Sequence, residues 1–190
     1  MPPVSRLITR GCLLLSLFLS AGPAMAGGTG FYPNGQIQWE YLSQDGQVRE
    51  AKWYDEQGRL TARSIFRDGH QVMSEGYRSD GSLEWQAREL GEGRQEITRF
   101  APGRRTELRY EVAAGQADGP SMLFYPGGQP RQSVTFRNGI PHGPARTYYE
   151  NGQIESEYAY RDGQLDGTYR LFSPEGQLTA EHAFARGQLP

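Results

Sequence analysis

Pro144-Ala-Arg-Thr-Tyr-Tyr-Glu150, then Asn151-Gly152, then Gln153-Ile-Glu-Ser-Glu-Tyr-Ala-Tyr160, then Asp162-Gly163: this stretch decides the fold. The two runs flanking Asn151-Gly152 are rich in β-branched and aromatic residues. Asn-Gly between such runs predicts a hairpin turn, because both residues tolerate positive φ. Asp162-Gly163 is a second turn of the same chemistry. In the second run Ile154, Ser156, Tyr158 and Tyr160 point one way, and Glu155, Glu157, Ala159 and Arg161 point the other. A period of two with one apolar face predicts antiparallel strands buried on one side.

The pattern recurs along the chain. Phe31, Tyr54, Tyr77, Phe124, Tyr148 and Phe172 are each followed four residues later by a glycine, at 35, 58, 81, 128, 152 and 176. Phe100 keeps the phase, with Gly103 one residue early. An interleaved series, Gly46, Gly69, Gly93, Gly115, Gly139, Gly163 and Gly187, lies half a period on, and from Gly69 onward each is preceded at three residues by Phe66, Leu90, Val112, Phe136, Tyr160 or Phe184. Self-similarity at a fixed spacing marks a stacked repeat protein. The expected fold is all-β: an extended, twisted antiparallel meander of about seven hairpin repeats of 23–24 residues. The fourth repeat, over 86–118, is the irregular one. Both aromatic series are expected to form the core. Tyr32, Trp53, Tyr125 and Tyr149, next in sequence to the first series, are expected on the opposite side.

Residues 1–26 read as a cleaved signal peptide. Arg6 and Arg10 precede an apolar stretch from Gly11 to Gly22, and Ala24-Met25-Ala26 has the small-x-small form of a cleavage site. The run is too short for a stable membrane anchor. Cys12, the sole cysteine, precedes most of that run, where a lipid-bearing cysteine would follow it. Residues 27–190 are then a single repeat domain exported to the periplasm, without thiol chemistry. Setting Arg6 and Arg10 aside leaves 18 basic against 22 acidic residues, and Lys52 is the one lysine, so nucleic acid is not an expected partner.

Catalytic patterns are missing. His70, His142 and His182 lie in different repeats at unrelated phases, so no metal site is expected from them. Asp45, Asp55, Asp68, Asp80 and Asp162 fall at or near turns, where aspartate bonds its own backbone. Gly91-Glu-Gly93 lacks the third glycine and the helix of a phosphate loop. No cofactor, catalytic residue or enzyme activity is expected. Arg99, Arg104, Arg105 and Arg109 make the one dense basic patch, suited to carboxylates or phosphates.

Phe124-Tyr-Pro-Gly-Gly-Gln129 with Phe136-Arg-Asn-Gly-Ile-Pro-His-Gly143, and Tyr148-Tyr-Glu-Asn-Gly-Gln-Ile154 with Tyr160-Arg-Asp-Gly-Gln-Leu-Asp-Gly167, resemble the MORN-variant repeat. Phe31-Tyr-Pro-Asn-Gly-Gln36 and Phe172-Ser-Pro-Glu-Gly-Gln-Leu178 are similar to it too. The resemblance implies hairpins laid side by side. It also implies kinship with bacterial proteins labelled antitoxins or immunity proteins, and hence a non-enzymatic periplasmic protein that neutralises a toxic effector, such as a secreted hydrolase, by direct binding. The alternative is an envelope or membrane-surface scaffold that binds lipid headgroups. Partner contacts are expected at Tyr125, Tyr149, Arg104, Arg105 and Trp85, since exposed aromatics and arginines dominate interface energetics.

Overall fold

The computed structural model describes residues 27–189. The expected signal peptide and Pro190 lie outside the described residues. Among those residues the structure is all-β, and the strands are β1 (Gly28–Phe31), β2 (Ile37–Gln44), β3 (Gln47–Tyr54), β4 (Leu60–Arg67), β5 (His70–Tyr77), β6 (Leu83–Gly91), β7 (Arg94–Ala101), β8 (Arg105–Ala113), β9 (Gln116–Phe124), β10 (Pro130–Arg137), β11 (Ile140–Tyr148), β12 (Ile154–Arg161), β13 (Gln164–Leu165), β14 (Gly167–Phe172) and β15 (Leu178–Phe184). They group into two compact bodies, an N-terminal one ending at Arg104 and a C-terminal one beginning at Arg105. Each is an antiparallel meander in which sequence neighbours pair, β1 to β7 in the first and β8 to β15 in the second. β13 and β14 both pair β12, and the strand they continue is broken at Asp166.

Two kinds of turn alternate. In the half-period series both central residues have positive φ: Asp45 (52°) with Gly46 (73°), Asp68 (50°) with Gly69 (76°), Asn138 (50°) with Gly139 (78°), Asp162 (50°) with Gly163 (83°). These two-residue loops carry the twist that antiparallel strands require. The turn at Gly103 and Arg104 also has both residues at positive φ. Asn151-Gly152 differs from the expectation. Only Gly152 takes positive φ. Its turn is wider and closed by two backbone bonds, Tyr149 N to Gln153 O at 2.9 Å and Gly152 N to Tyr149 O at 2.9 Å. The Asn151 side chain accepts from Gln153 N at 3.0 Å and donates to Pro174 O, in the next repeat, at 2.9 Å. The same double bond closes the turns beginning at Tyr32, Asp55, Arg78, Tyr125 and Ser173. Beside each wide turn the pairing register slips, as between Trp53 and Tyr54, Gly76 and Tyr77, and Thr147 and Tyr148.

That slip revises the expected core, in which Val112 and Phe136 of the second series are the fully buried members. The two aromatic series lie on opposite faces. Tyr54 and Tyr77 donate to Glu40 and Glu75 at 2.6 Å each, on the charged face, and the guanidinium of Arg109 stands over the ring of Phe124. Phe136 and Tyr160 lie on the other face, with Val134 and Tyr158. Most members of both series are half-buried and Phe31 is 60% exposed. The buried apolar set in the N-terminal body is Ala51, Ala62, Ala87 and Ile97. In the C-terminal body it is Leu108, Tyr110, Val112, Ala117, Val134, Phe136, Ala145 and Tyr158. The expected alternation of Ser156, Tyr158 and Tyr160 against Glu155, Glu157 and Ala159 is what the pairing of β11 with β12 shows.

Candidate interaction surface

Register partners in a sheet share a face, so a row can be followed from strand to strand. In the N-terminal body one row runs Gly30, Trp39, Trp53, Ala62, Gly76, Trp85, Arg99 from β1 to β7. The row above it runs Gly28, Tyr41, Ala51, Ser64, Ser74, Ala87, Ile97. All three tryptophans of the protein therefore line one face of one body. The small residues between them set how the indoles lie. A Cβ on Gly76 would run into the indole of Trp85, and one on Gly30 into the indole of Trp39. Each ring lies flat across a glycine on the neighbouring strand, covering backbone that has no side chain to shield it. Gly76 keeps an ordinary extended backbone, so space alone demands glycine there. Tyr41 packs against Trp39 at 5.0 Å between ring centroids and edge-on to Trp53 at 6.3 Å. The result is a fixed aromatic strip with half-buried rings over a floor of Ala, Ser and Gly.

The opposite face of this body is ionic. Its central row is Glu40, Lys52, Arg63, Glu75, Gln86, Thr98. Lys52 Nζ stands 3.6 Å from both Glu40 and Glu50. Arg63 bonds Glu50 at 2.5 Å and lies 3.6 Å from Glu75. Glu75, buried, also accepts from Gln86 at 3.0 Å and from the Tyr77 hydroxyl. Burial, followed by the bond to Glu40, pushes the Tyr54 phenol up to about 12, and burial with Glu75 does the same to Tyr77. The carboxylates are matched by cations and phenols, so this is a closed network that fixes strand register.

In the C-terminal body the equivalent ionic face carries separate pairs, Arg146 with Glu157 at 2.7 Å and Arg170 with Glu181 at 2.7 Å. Its other face holds a tyrosine stack: Tyr158 against Tyr169 at 5.3 Å and against Tyr160 at 5.5 Å.

The expected contact residues fall in three settings. Tyr125 and Tyr149 open wide turns, and their hydroxyls donate to the next repeat's backbone, at Tyr148 O (2.7 Å) and Phe172 O (2.8 Å). Tyr32 does the same to Tyr54 O at 2.8 Å. These tyrosines tie repeat to repeat, and their rings stay half-buried. Arg78 takes the same position in its turn and reaches Phe100 O, as well as Leu83 O at 2.9 Å. Trp85 belongs to the aromatic strip. Arg104 and Arg105 are exposed at the turn after β7, with Arg104 at φ 61°. Of the other two arginines in that patch, Arg99 stands 3.9 Å from Glu84, and Arg109 stands 6.0 Å from the centroid of the Phe124 ring. Sequence reasoning puts Trp39 in phase with Trp85, each four residues after a turn glycine, but does not set Tyr41 and Trp53 beside them. A further signal of the strip is Gly30 and Gly76 at strand positions nine residues before Trp39 and Trp85.

Of the histidines, His142 stands 3.2 Å from Asp162 and 3.1 Å from Arg137, on the exposed surface. Among the described residues no group of three or more His, Cys, Asp or Glu is placed to hold a metal.

Residues 141–162, which contain most of the β11–β12 hairpin, match the MORN repeat variant. No curated protein matches the chain. Among solved structures it is similar to TarM, at 15% identity and a TM-score of 0.37 over 50% of this chain and 19% of that one. A second structure, of S. aureus TarM in complex with Fondaparinux, alpha-GlcNAc-glycerol and UDP, gives 13% identity and a TM-score of 0.39 over 54% and 21%. The GtfA/B complex bound to UDP and GlcNAc gives 10% and 0.28 over 63% and 25%. The chain thus spans a quarter or less of the length of these solved chains. By its match at residues 141–162 the chain resembles MORN-variant repeat proteins, through a hairpin whose two kinds of turn recur in both bodies.

Proposed function

We propose that this chain is a non-enzymatic, periplasmic protein-binding repeat protein, an antitoxin or immunity protein that neutralises a toxic protein by covering it. The observation that supports this reading is the aromatic strip Trp39, Tyr41, Trp53 and Trp85. Tryptophan and tyrosine held in place by a sheet lose little freedom on binding, and such residues supply most of the energy in protein interfaces. A stable complex buries about 800 Å² per partner. Rows that cross seven strands, spaced about 4.8 Å apart, provide a face of that order. Arg99 ends the strip and gives it one cation for an acidic rim on the partner.

The test is co-expression with a toxic protein encoded beside this reading frame. The wild-type chain is expected to restore growth, and Trp53→Ala to lose rescue while the purified variant still melts cooperatively. Rescue that survives loss of the strip would remove the face from the account. Exposed Arg104 and Arg105 favour a second reading, a docking point for anionic headgroups. Flotation with anionic vesicles that is abolished by Arg104→Ala and Arg105→Ala together would support it.

A further inference from the structure

We propose that copies of this chain join end to end, β15 of one beside β1 of the next, in a joint that repeats the one between β4 and β5. The inference rests on the fold alone and stands apart from the functional reading above. Among the described residues β1 pairs only with β2, and β15 only with β14. Among those residues each strand therefore has one unpaired side.

The two edges carry the two halves of an internal joint. β4 begins Leu60-Thr61-Ala62, and β15 begins Leu178-Thr179-Ala180. β5 ends Gly76-Tyr77, and β1 ends Gly30-Phe31. Inside the chain Ala62 pairs Gly76, Arg63 pairs Glu75 and Ser64 pairs Ser74. Behind Gly76 the indole of Trp85 covers the backbone, and behind Gly30 that of Trp39 does the same. Carried over by repeat position, the register sets Ala180 against Gly30, Glu181 against Thr29, and His182 against Gly28. The imidazole meets a strand position with no side chain.

The turns agree. Tyr32, Arg78, Tyr125 and Tyr149 each reach on to a later repeat's backbone, but Asp55, whose turn precedes β4, stays within its own turn, accepting from Gln57 N at 3.0 Å and Arg59 N at 2.9 Å. Ser173, whose turn precedes β15, also stays within its own, accepting from Glu175 N and Gln177 N at 3.3 Å each. Neither turn asks its neighbour for an acceptor.

Exposure at the ends fits an unfilled joint. Phe31 is 60% and Leu178 is 55% exposed, while their internal counterparts Tyr77 and Leu60 are half-buried. β1 carries no charge and no proline. Natural sheets guard a free edge with such residues. A head-to-tail contact of this kind uses a different edge on each partner, so every copy added presents a fresh edge to the next.

The test is sedimentation of the full chain over a concentration series, with Thr29, exposed on β1, as the probe. The wild type is expected to pass beyond two copies as concentration rises. Thr29→Glu, facing Glu181, should weaken association about tenfold, Thr29→Lys should strengthen it, and Thr29→Glu with Glu181→Lys should restore it. Melting temperatures serve as the folding control. A chain that stays monomeric, one that stops at two copies, or Glu and Lys at position 29 acting alike would each overturn the joint.

Discussion

The two bodies reach stability by different routes on the same hairpin plan. The C-terminal body buries large apolar side chains, with Tyr110, Leu108, Phe136 and Tyr158 almost fully covered. The N-terminal body buries Ala51, Ala62, Ala87, Ser64 and Ser74, and leaves its tryptophans above them as half-covered lids. On the opposite face the C-terminal body has separate ion pairs, and the N-terminal body has a connected network from Lys52 to Gln86. The difference teaches that a repeat can keep its turns while moving its bulk. Placing aromatic rings over small residues keeps them available to a partner, whereas placing them in the core spends them on stability.

The comparison breaks first under core substitutions of opposite sense. Tyr158→Ala in the C-terminal body should cost about 3–5 kcal/mol, read by urea unfolding, because it removes a buried ring packed against Tyr160 and Tyr169. In the N-terminal body Ile97 is the one large side chain in the buried apolar set, and in the rest of that set, which is alanine, enlargement should do the damage. Gly76→Ala should cost about 1–3 kcal/mol by displacing the Trp85 indole, with a change in tryptophan fluorescence as its signature. If Gly76→Ala melts like the wild type, the indole does not lie where we place it.

Alkaline pH sharpens the contrast. The folded state holds Tyr54 and Tyr77 near 12, above the ordinary value of 10. Their stabilising contribution is therefore complete below pH 10 and is lost as pH rises from there through about 12. Deprotonation places phenolates against Glu40 and Glu75, so the N-terminal ionic face should loosen at its carboxylates, whereas in the C-terminal body it is chiefly burial that holds Tyr158 up to about 12. Amide exchange resolved by peptide from pH 9 upward should show it, and Tyr54→Phe with Tyr77→Phe should remove that pH dependence. Smaller again is Tyr149→Phe, which deletes one hydroxyl bond between repeats and should cost about 1 kcal/mol.

Much of this was legible in the residues. The alternation from Ile154 to Tyr160 gave strand phase, and Asp162-Gly163 gave a two-residue turn with both residues at positive φ. Asn151-Gly152 has the same chemistry, yet it closes a wider turn. Register slips lie beside both kinds of turn, so polarity alone does not count the residues in each loop. Those slips also hid the split of the two aromatic series between faces. The roles of Tyr125 and Tyr149 depend on which carbonyl the stacked neighbour offers some 23 residues away, a contact made by the fold. The aromatic strip was half visible. Trp39 and Trp85 shared a phase, but the glycines across from them gained meaning only once pairing was known.

The central proposal is that recognition resides on the aromatic face of the N-terminal body. The most direct measurement is calorimetric titration of the proposed toxic partner against three chains: wild type, Trp53→Ala, and Arg63→Ala on the opposite face. The account predicts that the Trp53 variant loses binding at least tenfold and that the Arg63 variant binds as the wild type does, with both folded at the titration temperature. Binding that is lost with Arg63 and kept without Trp53 would contradict it.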